Sequence, residues 1–98
     1  SYARQRLLGL AGLLVGDYDL LLLDEPSSGL GPETREMLKS LFKKLRVAGK
    51  TVFLIEHNMD LISDASDICH FMARGEILVS GPPEMIIDHE EVKRSYLM

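Results

Sequence analysis

The chain has 98 residues, the size of a single domain. Its 11 Lys and Arg stand against 15 Asp and Glu, and this mildly acidic balance argues against nucleic acid or an anionic membrane as the partner. A single cysteine excludes a disulfide framework and fits a reducing compartment. The longest apolar runs, at 7–15 and 20–23, are shorter than the ~20 residues of a transmembrane helix.

Helices and strands alternate in the first half of the chain. The predicted elements are a helix over 1–15, a strand over 20–23, a loop over 24–31, a helix over 33–48 and a strand over 51–55. The first helix is apolar on nearly all sides, which predicts that it is buried or has a partner. The four consecutive leucines of the first strand are typical of a strand covered on both faces. Strand, helix and strand in this order predict a right-handed crossover and a parallel pair.

The second half of the chain predicts short elements around one hairpin. They are a helix over 59–65, strands over 68–73 and 76–80, and helices over 84–88 and 90–97. Arg74 and Gly75 form the tight turn between the strands. The fold class is therefore α/β, with parallel strands flanked by helices and a C-terminal β-hairpin and helices.

Acidic residues and a histidine follow the two parallel strands. Asp24 and Glu25 end the first strand, and Glu56 and His57 end the second. Ligands of open parallel sheets lie beyond the carboxyl ends of the strands, so we expect these groups to meet at one edge. Carboxylates there suit Mg²⁺ or a general base acting on water. For any one of these residues, a strand end that meets solvent is the better explanation, and only the set as a whole favours function.

The other polar candidates favour structural roles. Ser1 is an N-cap whose helix start is a possible anion site, strengthened by Arg4 and Arg6 or flanked by them as solvated side chains. Cys69 lies in a core strand as a small apolar residue. His70 in the same strand and His89 at a helix boundary are interpreted as structural.

Four segments, in order, resemble the motifs of ATP-binding cassette (ABC) ATPases. They are 1–5 for the signature motif, 20–26 for Walker B, 28–31 for the D-loop and 55–57 for the switch histidine. The resemblance implies a partial P-loop NTPase fold, with residues 1–98 as the C-terminal portion of one nucleotide-binding domain. The Walker A motif and the Q-loop are not among these residues, so we expect that the 98-residue chain alone neither binds ATP tightly nor hydrolyses it.

The resemblance also implies a role for each motif residue. Asp24 would hold Mg²⁺, Glu25 would be the general base on the attacking water, and His57 would contact the γ-phosphate. The residues implied in ATP binding, partly across a dimer, are Ser1, Tyr2, Ala3, Arg4, Gln5, Ser28 and Gly29. The chain departs from the family pattern at Ala3, Arg4, Gly12 and Gly31, positions that bear on contacts across the dimer.

The implied function is that of an ATP-hydrolysing subunit of an ABC transporter. Its partners would be membrane permease subunits and a second ATPase subunit, with no nucleic acid, and its place the cytoplasmic face of the membrane as a peripheral protein. Tyr2, the stretch 55–60 and the tail 81–97 resemble importers of branched-chain amino acids.

Three other functions remain open. One is a non-catalytic interaction module held through the apolar helix at 7–15. The second is a DNA-repair or chromosome-organising ATPase, which the low net charge disfavours. The third is a receiver domain, which lacks the lysine it needs at a later strand end.

Overall fold

The computed structural model describes residues 2–97, apart from the side chains at 14, 96 and 97. These residues fall into two compact units, one ending at Asn58 and the other beginning at Met59. The first unit consists of α1 (Tyr2–Val15), β1 (Leu20–Asp24), α2 (Pro32–Val47) and β2 (Thr51–Ile55). Strands β1 and β2 pair in parallel, in a register that places Leu20 beside Thr51 and Asp24 beside Ile55. The predicted parallel pair, with a helix between its two strands, is confirmed.

Helix α2 supplies three of the six buried apolar residues that the structure describes in the first unit. It begins with Pro32 at its first turn, where a missing N–H costs nothing, and Lys44 and Arg46 in its last turn complement the helix dipole. Its apolar stripe at helical spacing is buried and contacts β2. The buried apolar residues of this unit are Leu10, Leu21, Leu30, Leu38, Phe42 and Leu45.

The expectation that both strands are covered on both faces is wrong for the described residues. Leu21 is buried, whereas its neighbour Leu22 is 71% exposed, and Phe53 beside it on β2 is 56% exposed. Successive side chains of a strand point to opposite faces, so α2 covers one face of this sheet and the other is open. The apolar run indicates that the strand is hydrophobic, but it does not predict which of its faces pack against a helix.

Of the two alternatives predicted for helix α1, burial on all sides is not found in the described residues, and a partner stays a prediction. Leu10 is buried, but Leu8 is 73% exposed and Val15 is almost fully exposed. Small residues with little apolar surface, Gly9 and Gly12 among them, occupy part of the outward side. The apolar character of α1 is therefore only partly used within the described residues.

The second unit is a hairpin packed against three short helices. Its elements are α3 (Met59–Ala65), β3 (Cys69–Ala73), β4 (Glu76–Gly81), α4 (Pro83–Ile87) and α5 (Glu90–Leu97). The hairpin is antiparallel, and positive φ angles of 53° at Arg74 and 77° at Gly75 make its two-residue turn. Cys69, Ile86 and Val92 form the core. This unit has the hairpin and helices that the sequence predicts.

The histidines of the second unit make local contacts. His70 is exposed, with its Nδ1 atom 2.7 Å from the hydroxyl of Ser80 on the paired strand. His89 accepts a hydrogen bond from the Glu91 N–H at the start of α5. Among the helices of residues 2–97, none combines the length and the apolar character that crossing a membrane requires.

Candidate active site

Glu25 and His57 lie side by side because each follows one of the two paired strands. The parallel register ends at Asp24 and Ile55, and the Glu25 N–H continues it with a 2.7 Å hydrogen bond to the Ile55 carbonyl. His57 Nε2 lies 2.7 Å from Glu25 Oε1. The side chain of Glu25 is 44% exposed and that of His57 is 80% exposed. A carboxylate and an imidazole thus share a hydrogen bond at an accessible sheet edge, a pair suited to orienting a water molecule.

The backbone of Glu25 adopts a conformation that non-glycine residues rarely adopt. Its φ angle is 48°, in the left-handed region. Both backbone groups of Glu25 are hydrogen-bonded. Its N–H donates to the strand β2, and its carbonyl accepts from Arg6 Nη2 at 2.6 Å and from the Ser28 N–H at 3.1 Å. Unusual backbone angles of this kind persist where surrounding contacts fix them, and they are frequent at functional sites.

Glu56 has a different place from the one that the sequence predicts. Its carboxylate does not join the titratable groups of the edge but turns onto backbone N–H groups. Oε2 accepts from Ser27 at 3.0 Å, and Oε1 accepts from His57 at 3.1 Å and from Asn58 at 3.5 Å. Glu56 therefore ties the loop after β1 to the loop after β2, and so joins the segments that carry Glu25 and His57.

The signature-like segment begins α1. Ser1 lies outside the described residues, and Tyr2, Ala3, Arg4 and Gln5 form the first turn of the helix. Arg4 and Gln5 are exposed.

The aromatic ring of Tyr2 lies against Gly29 in the loop after β1. A Cβ atom built on Gly29 would come within 3.0 Å of the ring, and the φ of +77° at Gly29 is a glycine conformation. Ser28 beside it is exposed. The ring thus brings the start of α1 against the D-loop-like segment.

Asp24 directly precedes Glu25 in the chain and borders a concavity of about 340 Å³ that Gln5, Arg6 and Pro26 also line. Its exposed carboxylate fits one ligand position of Mg²⁺, which is usually held by one or two carboxylates together with phosphate oxygens and water. Within residues 2–97 no group of three or more His, Cys, Asp and Glu could hold a metal ion. Any Mg²⁺ at Asp24 would therefore depend on further oxygen ligands, such as those of a nucleotide.

The sequence identifies the strand ends but not the side chains that fix them. The sequence leaves Arg6 open as support for an anion site or as a solvated side chain, whereas its guanidinium binds the carbonyls of Glu25 and Pro26. The two carbonyls lie 19 and 20 residues from Arg6 along the chain, and no local sequence pattern predicts contacts at such separations. A Gly in a Ser-Ser-Gly loop is the one signal that does indicate a special backbone position in this region.

Comparison with known proteins identifies the class of fold to which the chain is similar. No protein-family model matches the chain. The chain is 39% identical over 84 residues to the energy-coupling factor transporter ATP-binding protein EcfA2 of Streptococcus thermophilus. This alignment covers 86% of the chain and 30% of that protein. The chain thus spans about a third of the length of the curated relatives it matches.

Two solved structures share its fold. An ATP-binding cassette of an ABC transporter in its ADP conformation superposes with a TM-score of 0.86 over 99% of the chain and 40% of that structure, at 22% identity. CbiO1 of Clostridium perfringens, part of the ABC transporter complex cbiONQ, superposes with a TM-score of 0.76 over 97% of the chain and 38% of that structure, at 29% identity.

The fold is that of part of an ABC ATPase domain, as its resemblance predicts. In sequence and in fold, the chain is similar to part of ABC transporter ATP-binding proteins.

Proposed function

We propose that the chain serves as the C-terminal part of an ATP-hydrolysing subunit that energises an ABC transporter. In this role Glu25 is the general base and His57 orients it. The observation that supports these roles most directly is the 2.7 Å contact between Glu25 Oε1 and His57 Nε2 at the carboxyl ends of two parallel strands. Similarity to ATP-binding subunits over most of the chain supports the reaction class.

The geometry suits hydrolysis of a phosphoanhydride. Phosphoryl transfer depends mainly on positioning and on charge stabilisation, so a carboxylate that accepts a hydrogen bond from the attacking water contributes much of what the protein must supply. Glu25 Oε1 is held by His57, which leaves the second carboxylate oxygen for the water. His57 is largely exposed and is within reach of a phosphate oxygen bound at the same edge. When bound, ATP and Mg²⁺ would supply the phosphoryl group and neutralise its charge, and Asp24 is the residue that would hold the metal.

The proposal extends to the partners that such a subunit needs. They are membrane permease subunits and a second ATPase subunit, whose ATP would meet the segment 1–5 and the loop with Ser28 and Gly29. The whole assembly would lie at the cytoplasmic face of a membrane. The names of the relatives favour an energy-coupling factor type of transporter, and they lend no support to uptake of branched-chain amino acids.

The test is ATP turnover by the complete subunit that contains this segment, assembled with its permease. Glu25→Gln keeps the size of the side chain and removes its basicity, and we expect it to lower kcat by about 100-fold or more. Glu76→Gln, at an exposed position on β4, is the matched control and should leave kcat unchanged. Wild-type turnover by Glu25→Gln would refute the catalytic role.

A non-catalytic interaction module is the second candidate function. The exposure of Leu8 and Val15 on α1 favours it, because these apolar side chains suit a partner protein. Under this hypothesis Glu25→Gln has no effect, whereas Leu8→Asp abolishes assembly with the partner. Under the first hypothesis Glu25→Gln lowers turnover while assembly is retained, so the same two variants separate the functions.

A further inference from the structure

We propose that Arg6 is a positioning residue for Glu25, and that it links helix α1 to the general base of the same chain. The proposal rests on the proposed function, because it presumes that the carboxylate of Glu25 acts on water. Arg6 lies in the second turn of α1, directly after the signature-like segment. Its side chain reaches the loop after β1 and donates a hydrogen bond to the backbone carbonyl of Glu25.

The guanidinium of Arg6 binds two successive carbonyl groups. Nη2 donates to the Glu25 carbonyl at 2.6 Å, and Nε donates to the Pro26 carbonyl at 3.3 Å. The donors of a guanidinium are fixed in one plane, so the two contacts together restrict the two peptide groups on either side of Pro26. The Arg6 Cζ atom lies over the ring of Tyr2, 5.9 Å from its centroid, which is within the range of a cation–π contact.

The contact matters because the backbone of Glu25 is in a sparsely populated conformation. With φ at 48°, relaxation to the usual negative φ would carry the carboxylate away from His57. The N–H of Glu25 is fixed by the Ile55 carbonyl. Arg6 fixes the carbonyl on the other side of the same Cα atom, and the two contacts together restrict rotation about both backbone bonds of Glu25.

This arrangement couples the position of α1 to the aim of the carboxylate. N–H···O hydrogen bonds have donor–acceptor distances up to about 3.2 Å, and a contact at about 3.6 Å is no longer one. The Arg6 contact to the Glu25 carbonyl is 2.6 Å, so a shift of α1 by about 1 Å would release that carbonyl. Contacts made by the segment 2–5 are therefore expected to reach Glu25 through Arg6, within one subunit.

The experiment uses the complete subunit assembled with its permease. Arg6→Met keeps the apolar stem and removes the donors, and we expect kcat for ATP to fall by about 10- to 100-fold because the base is misplaced. The KM for ATP should stay within about twofold, because ATP contacts are kept. Arg6→Lys retains the charge and a single donor group, so its kcat should lie between that of the wild type and that of Arg6→Met. Arg35→Met is the control, since Arg35 also donates to a carbonyl of this loop, that of Leu30 at 3.1 Å.

A double-mutant cycle shows whether Arg6 acts through Glu25. In the Glu25→Gln background, single-turnover hydrolysis should change by about twofold or less when Arg6→Met is added, because no base remains to be positioned. Three results would overturn the proposal: full kcat in Arg6→Met, an equal loss in Arg35→Met, or an equal loss with and without the Glu25 carboxylate. A Glu25→Gln variant with full turnover would instead overturn the proposed function, and the role of Arg6 with it.

Discussion

Replacing Glu56 by Gln tests how the two loops of the site are held together. The carboxylate accepts from Ser27 at 3.0 Å with one oxygen, and from His57 at 3.1 Å and Asn58 at 3.5 Å with the other. A Gln side chain fits the same space, but only one of its two terminal atoms is an acceptor. Its NH₂ group must therefore face either the Ser27 N–H or the pair of N–H groups of the second loop.

The expected loss follows from these contacts. A hydrogen bond to a charged group contributes about 1.5–3 kcal/mol, and the 3.5 Å contact contributes little. Glu56 is half-buried, so water partly replaces the lost partner. We expect Glu56→Gln to lower the free energy of unfolding by about 1–2 kcal/mol.

Urea unfolding and amide hydrogen exchange measure the effect on stability and its location. The exchange rate of the amide that faces the Gln NH₂ group, either Ser27 or His57, should rise about 5–30-fold. Glu76→Gln removes an exposed carboxylate of the hairpin and should change neither quantity. Unaltered exchange at Ser27, His57 and Asn58 in the folded variant would refute the bridging role of Glu56.

Three further predictions concern backbone, core and thiol. Gly29→Ala should lower the unfolding free energy by about 1–2 kcal/mol relative to wild type, because the φ of Gly29 is positive. The loss should exceed that of Gly49→Ala, whose φ is also positive but whose Cβ would meet nothing within 4 Å. Leu38→Ala should cost about 2–5 kcal/mol in urea unfolding because Leu38 is fully buried, whereas exposed Met37→Ala should change stability by less than about 0.5 kcal/mol. Burial raises the pKa of the Cys69 thiol, so alkylation by iodoacetamide should be slower in the folded chain than in urea and should need higher pH; equal rates would contradict this. Because the folded state holds this proton more tightly, the contribution of the thiol to stability should be fully present below its unfolded pKa and be lost as pH rises through its raised folded pKa.

The order of elements was predictable because each one carries a strong local signal. The strand at Thr51–Ile55 and the helix at Met59–Ala65 have the predicted bounds, since a β-branched apolar run and a short amphipathic segment stand between clear breaks. The turn at Arg74 and Gly75 was predictable for the same reason, because glycine is suited to positive φ. Local pattern therefore suffices where neighbouring residues alone determine the conformation.

The open face of β1 and β2 was not predictable from local pattern. Four leucines in a row predict that both faces of the strand are buried. In the structure, only the face that carries Leu21 is buried. Which face has a cover depends on how many elements pack on the sheet. That is a property of the whole domain and not of the strand sequence.

The candidate site divides along the same line. Glu25 and His57 could be identified because parallel strands bring their carboxyl ends to one edge. The contacts of Arg6 and Glu56 could not, because long side chains reach backbone groups 19 and 29 residues away, and several rotamers would reach other partners. Side chain to backbone contacts leave no pattern in the sequence of the residues that they hold.

The distribution of order within the site supports a role that involves a further reactant. The backbone of Glu25 is fixed at its N–H by β2 and at its carbonyl by Arg6, and Glu56 fixes the N–H of His57. The side chains of Glu25 and His57 nevertheless remain accessible. A purely structural ion pair gains little at such exposure, since water screens it, and it would not require a left-handed backbone at Glu25. Fixed backbone with accessible reactive atoms is what a preorganised catalytic site needs, because the geometry is set before the reactant arrives.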